Sequence, residues 1–219
     1  MIVGKRMQKN PIVLKKGDSL KVASRLIKVH RIRHLPVVDE NNHLIGIVAD
    51  RDVKKASASD ATTLDIHELF YLLDRIGVDE IMTKKVVTVG PELPLEQAAK
   101  ILHDRKFGCL PVLENNELVG IITTSDVLEF IMDAMDVNSS CTRVELELED
   151  KPEQLLKVLQ AMEGHGYQIS SVITSPEREG ESKIVTLHLN CKDDNELRKT
   201  LEDADFKIIS FIHQEPMSA

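Results

Sequence analysis

Leu35-Pro36-Val37-Val38-Asp39 and Leu110-Pro111-Val112-Leu113-Glu114 decide the fold, because the chain writes the same segment twice. Met7, Pro36, Val37 and Asn41 are matched 75 positions on by Met82, Pro111, Val112 and Asn116. A one-residue deletion then aligns Gly46-Ile47-Val48 and Asp52-Val53 with Gly120-Ile121-Ile122 and Asp126-Val127. Internal duplication of this kind predicts two units packed on each other, and the cleft between them is where a site is first sought.

Each copy has the same period and punctuation. Ile12-Val13-Leu14 and Val86-Val87-Thr88-Val89 are short β-branched runs that lead into Gly17-Asp18-Ser19 and Gly90-Pro91-Glu92. Leu20, Ala23, Leu26 and Ile27, and then Leu95, Ala98, Ile101 and Leu102, recur at helical spacing. The two Leu-Pro-Val strands pass through polar turns at Asp39–Asn42 and Glu114–Glu117 into Leu44–Val48 and Leu118–Ile122, which predicts hairpins followed by a last helix. Proline lacks a donor, so Pro36 and Pro111 are expected to open their strands or to lie where no ladder bond is needed. Between the copies, a small polar stretch from Ser57 to Thr63 reads as a linker, and the apolar spacing of Leu64, Leu69, Phe70, Leu72, Leu73 and Ile76 reads as a helix whose stripe packs on the module, the commoner outcome, or meets a partner chain.

The chemistry concentrates at the two Asp residues. A carboxylate at a strand-to-helix junction can accept both vicinal hydroxyls of a ribose, although an Asp there also serves as an ordinary helix cap. Thr123-Thr124-Ser125-Asp126 adds hydroxyl donors at a helix N-terminus, which suits a phosphate, whereas Ala49-Asp50-Arg51-Asp52 lacks the first hydroxyl. On this reading the Asp126 site is the main one. The run His30–His34 is by itself also consistent with a solvated charged stretch.

The duplicated Leu-Pro-Val, turn, Gly-Ile-Val and Asp resemble the tandem cystathionine-β-synthase (CBS) domain pair over about residues 1–135. The resemblance implies a non-catalytic regulatory binder of adenosine-containing ligands, with ATP, ADP or AMP expected, S-adenosylmethionine or NAD as further candidates, and no required cofactor. Each cleft would be completed by the opposite repeat. The main site would join Thr123, Ser125 and Asp126 to Ile12, Val13, Ile32, Arg33 and His34, the last two as phosphate-binding cations. A weaker second site would join Arg51 and Asp52 to Val87, Thr88, Gly108 and Cys109, with little positive charge beyond Arg51. An enzymatic alternative pairs Cys109 as nucleophile with His34 as base, but no third group or oxyanion hole accompanies them.

Past Asn138-Ser139-Ser140 the pattern changes to strand (142–148), helix (153–163), strand (167–174), strand (183–189), helix (193–203) and strand (206–211), the βαββαβ order of a ferredoxin-like fold. With Glu149-Asp150-Lys151-Pro152 closing its first strand, this half resembles an ACT domain, a module that commonly binds amino acids at a subunit interface. The family usually has Gly after that Pro; this chain has Glu153, which favours a structural or oligomerising role. The whole arrangement is similar to proteins of acetoin utilisation and implies a bacterial regulator linked to acetoin or acetate metabolism. The expected organisation is α/β (α+β): CBS repeats at 1–58 and 78–136, a linker helix at 59–77 and an ACT-like domain at 141–213. Empty clefts and a pure scaffold role are the main alternative.

Composition narrows the class. A net charge of −8 with no long basic run argues against a nucleic-acid polymer as partner. No apolar stretch reaches membrane-span length and no signal-peptide core is visible, so a cytoplasmic protein is expected, as a homodimer with an unknown protein partner. Cys109, Cys141 and Cys191 form neither a disulfide framework nor a metal-ligand pattern.

Overall fold

The computed structural model describes residues 1–60, 73–176, 182–191 and 193–215. The chain divides into two compact units, Met1–Leu128 and Glu129–Ala219.

Within the first unit the duplication becomes two matching layers of sheet and helix. Repeat 1 contributes β2 (Leu14–Lys15), α1 (Leu20–His30), β3 (His34–Val38), β4 (Leu44–Ala49) and α2 (Asp50–Asp60). Repeat 2, entered through the short α3 (Val78–Ile81), contributes α4 (Leu95–Arg105), β5 (Cys109–Glu114), β6 (Glu117–Thr123) and α5 (Thr124–Ala134). The apolar stripe of α1 buries Leu20, Ala23 and Ile27 in a cluster with Leu35, Val37 and Val48, and α4 buries Leu95, Ala98 and Leu102 at the corresponding positions. Both helices stop at a basic residue in the left-handed region, Arg31 (φ 52°) and Lys106 (φ 55°). Asn115 and Asn116, at φ 50° and 70°, give the β5–β6 hairpin the two-residue turn that matches strand twist.

The two prolines do not open their strands: Pro36 and Pro111 sit third in β3 and β5. They satisfy the other half of the expectation. The Pro111 carbonyl accepts from the Val89 N–H at 3.1 Å, and a residue's N and C=O point to the same side of a strand, so its missing donor faces the sparsely bridged parallel neighbour rather than β6.

The repeats are also exchanged at their edges. β1 (Gln8–Lys9), ahead of repeat 1, pairs with β6 of repeat 2, and Thr83, ahead of repeat 2, bridges Ile47 in β4 of repeat 1. This explains the duplicated methionines and glycines. A Cβ on Gly120 would stand 2.4 Å from the Met7 sulfur, and one on Gly46 would stand 2.4 Å from that of Met82. Each repeat keeps a glycine so that the other's lead-in methionine can lie against its strand.

The linker reading changes in one respect: α2 continues to Asp60 instead of giving way at Ser57, as a helix can when small residues interrupt neither its bonds nor its first apolar turn. Most of the predicted linker helix, residues 61–72, lies outside the described residues. Residues 73–75 are helical, and Leu73 is buried in the repeat 1 core.

The second unit runs β7 (Cys141–Glu149), α6 (Pro152–Ala161), β8 (Gln168–Pro176), β9 (Ser182–Asn190), α7 (Asp194–Asp203) and β10 (Lys207–Gln214). Its sheet order is β10-β7-β9-β8 with every neighbour antiparallel, a ferredoxin-like arrangement. Val144, Leu146, Val185, Leu187 and Leu189 alternate inward to meet Val158, Leu197 and Leu201 of the two helices. Asp193 caps α7, accepting from the Asn195 N–H at 2.8 Å. Lys151 holds the N-cap position of α6, and Asp150 just before it pairs with Lys183 at 3.2 Å.

Candidate functional site

The two strand-to-helix junctions share one backbone device. In repeat 2 the Asp126 carboxylate accepts from the Thr123 N–H at 2.6 Å, and the Asp126 N–H donates to the Thr123 hydroxyl at 3.3 Å. That is a reciprocal capping box, with Asp in the place usually held by Glu or Gln. Repeat 1 keeps half of it: Asp52 Oδ2 accepts from the Ala49 N–H at 2.9 Å, while Ala49 has no oxygen to return. Capping therefore uses one oxygen of each Asp. The second oxygen of Asp52 stands 3.9 Å from Arg51 Nε, and its side chain is 29% exposed.

The helix starts are tied to the residues ahead of each Leu-Pro-Val strand. The Asp50 N–H donates to the Arg33 carbonyl at 2.9 Å and the Thr124 N–H donates to the Gly108 carbonyl at 3.2 Å. His34 lies opposite Ala49 in the β3–β4 ladder, and Cys109 lies opposite Thr123 in β5–β6.

These ties regroup the candidate residues. A cleft of about 820 Å³ opens beside Asp52, within the size range of small-molecule sites. Arg51 and Asp52 line it together with Val87, Gly108 and Cys109 from repeat 2; Thr88 does not. Arg33 and His34, expected beside Asp126, line this same cleft, because the hairpin ladder and the Asp50–Arg33 bond hold them at their own repeat's junction. Ile12, Val13, Ile32, Thr123, Ser125 and Asp126 do not line it; Ile12 and Ile32 pack against the repeat 1 core.

The charge of the Asp52 cleft also differs from expectation. Lys54, Lys85 and Lys106 join Arg33 and Arg51 on its walls, against Asp50 and Asp52. Asp50 is occupied by Lys54 at 2.6 Å, and among the described residues Arg33, Lys85 and Lys106 have no carboxylate partner. Lys85 and Lys106 escaped the sequence reading, although the Lys84-Lys85 pair just ahead of the repeat 2 strand was a signal that could have found one of them. Phe107 and Thr124 also line the cleft and were missed.

The reactive groups are quiet. Burial pushes the Cys109 thiol up to about 12, so no thiolate forms near neutral pH. His34 is shifted below the ordinary histidine range, first by burial and then by Arg51 and Arg33, with Asp52 opposing. Its imidazole is therefore neutral at neutral pH, not the cation expected.

Comparison with known proteins places this architecture. Among curated relatives, the homoserine O-acetyltransferase of Methanohalobium evestigatum is 31% identical over 119 residues, 54% of this chain but 22% of that protein, so the chain spans about a fifth of that relative's length. Among solved structures, the acetoin utilization protein AcuB from Vibrio cholerae is similar at 31% identity and a TM-score of 0.54, over 63% of this chain and 94% of that one. CBSX2 from Arabidopsis thaliana, solved in complex with AMP, is 29% identical with a TM-score of 0.51, over 60% and 96% of the two chains. The CBS domain pair of protein MJ0100, solved with 5-methylthioadenosine and S-adenosyl-L-methionine, is 27% identical with a TM-score of 0.51, over 60% and 95%. The family model for the CBS domain matches residues 3–59 and 78–133, one match on each copy of the duplicated segment, and the chain belongs to the CBS domain family.

Proposed function

We propose that the chain is a non-catalytic regulator that senses an adenine nucleotide in the Asp52 cleft. The observation that carries this reading is the meeting of one partly free carboxylate, Asp52, with Arg33, Lys85 and Lys106, cations that have no carboxylate partner among the described residues, around a single cleft. Asp52 would accept the ribose hydroxyls, the cations would hold phosphate, and Val87 and Phe107 offer apolar surface to the base. The surplus of positive charge favours AMP, ADP, ATP or NAD over S-adenosylmethionine, whose sulfonium is itself a cation. The adenosine ligands of CBSX2 and the MJ0100 pair support the ligand class, and the likeness to the Vibrio cholerae protein supports a link to acetoin or acetate metabolism. A non-enzymatic role is supported by the protonated Cys109 thiol. Among the described residues no helix is long and apolar enough to cross a membrane; a cytoplasmic homodimer that passes the signal to a partner protein suits the role.

Calorimetric titration of nucleotide-stripped protein with AMP, ADP, ATP, NAD and S-adenosylmethionine tests the reading. Saturable binding that is lost in Asp52→Asn and kept in Asp126→Asn is expected. The reverse pattern moves the site to Asp126, and no heat with any ligand in folded protein favours an interaction scaffold.

A further inference from the structure

His34 is placed to do more than line the wall. Its ring crosses to repeat 2 and lies on Gly108, where an added Cβ would stand 2.5 Å from Cε1 and 2.6 Å from Nε2. Glycine at that position is what lets the imidazole span the two repeats. Arg33 and Arg51 flank it in the cleft, with Asp52 as the opposing carboxylate. Among the described residues the ring has no hydrogen-bond partner.

We propose that His34 takes up a proton when the phosphate of a nucleotide enters the Asp52 cleft, so that ligand binding and protonation of this imidazole are coupled. The proposal rests on the nucleotide reading above. With protein groups alone around it, burial and the two guanidinium groups outweigh Asp52 and keep the ring neutral at neutral pH. A phosphate anion cancels that positive field and gives an imidazolium N–H an acceptor, which raises the affinity of the ring for its proton. The contribution of His34 to affinity is then greatest at low pH. It falls as pH rises through the window between the free-protein value, below the ordinary 6.5, and the raised value of the complex, by up to about tenfold per pH unit. Among the other groups of the cleft, Lys85 and Lys106 are cations on the same walls, Lys54 is held by Asp50, and Cys109 stays a thiol. His103, the other cleft histidine, stands 3.2 Å from Asp104 and is retained in the His34→Gln variant, so its contribution is common to both proteins.

The test is calorimetric titration of the full chain with AMP near neutral pH in buffers of different ionisation enthalpy. A proton released by the AMP phosphate on entering the cationic cleft is common to wild type and variant and cancels in the comparison. Wild type is expected to take up more protons than His34→Gln, whose affinity is weaker and flatter with pH. NMR of the imidazole, with and without AMP, reads the same titration in the unaltered protein and is expected to move upward on binding. Equal proton uptake in wild type and variant, or an imidazole titration unmoved by AMP, overturns the coupling while leaving nucleotide binding intact. No AMP binding in either protein overturns the nucleotide reading and the coupling with it.

Discussion

Ala49-Asp50-Arg51-Asp52 and Thr123-Thr124-Ser125-Asp126 occupy the same backbone, yet they leave different groups for a ligand. In repeat 2 the Thr hydroxyl and the Asp carboxylate serve each other's N–H groups. In repeat 1 Ala49 gives nothing back, and the surrounding charge is supplied instead by Arg33, Arg51, Lys85 and Lys106. The difference teaches that a hydroxyl beside a helix N-terminus is drawn first into the helix's own cap: the Thr123 oxygen accepts from the Asp126 N–H, and its O–H is what remains to donate.

The largest expected effect breaks or keeps that comparison outright. Asp52→Asn should cost about ten- to a hundredfold in nucleotide affinity, corresponding to about 1.5–3 kcal/mol for hydrogen bonds to a charged group. Asp126→Asn should stay within about twofold, and calorimetry that finds Asp126 the costlier loss would reverse the assignment of the two junctions. Next in size are the glycines of the exchanged edges. Gly46→Val and Gly120→Val each push on a methionine sulfur 2.4 Å from the new Cβ, and each should destabilise by about 1–3 kcal/mol through overpacking. Similar urea midpoints for the pair support equivalent roles; a harmless change at one position would show the exchange to be lopsided.

A smaller effect sharpens the capping difference. Ala49→Thr restores the missing acceptor and should stabilise by about 0.5–1 kcal/mol, whereas Thr123→Ala should destabilise by about 1 kcal/mol. Thermal unfolding that moves the same way for both would show that the junctions are not equivalent caps. The smallest effect is in pH. His34 has a depressed folded-state pKa, so its contribution to stability is present above the ordinary 6.5 and is lost as pH falls through the folded value. Cys109, its counterpart in repeat 2, has no such acid limb. Urea unfolding at pH 7.5 and 5 should therefore show a steeper loss in wild type than in His34→Gln, and parallel losses would remove His34 from the acid response.

Much of this was legible because it is local. The Leu-Pro-Val strands, the Asn turns and the helical stripes of α1 and α4 each declare themselves within a dozen residues, and the second copy confirms the first. Val87, Gly108 and Cys109 were expected beside Asp52 from the resemblance to the CBS pair, in which the opposite repeat completes each cleft, and all three line the Asp52 cleft. Arg33 and His34, expected beside Asp126, line the Asp52 cleft because their neighbours are set by ladder pairing with Ala49 and by the Asp50 N–H, pairings that spacing does not reveal. Lys85 and Lys106 lie far apart in sequence and meet only across the cleft.

The amino-acid sequence by itself determined the duplication, the type of nearly every element and the two junction carboxylates, since periodicity, turn chemistry and helix signals act over short spans. Only the tertiary structure decided which edge strand belongs to which sheet, why Gly46 and Gly120 face methionines, and which cleft gathers the positive charge. Those outcomes depend on long-range pairing, where a side chain's electrostatic surroundings come from residues brought together by packing rather than by order along the chain.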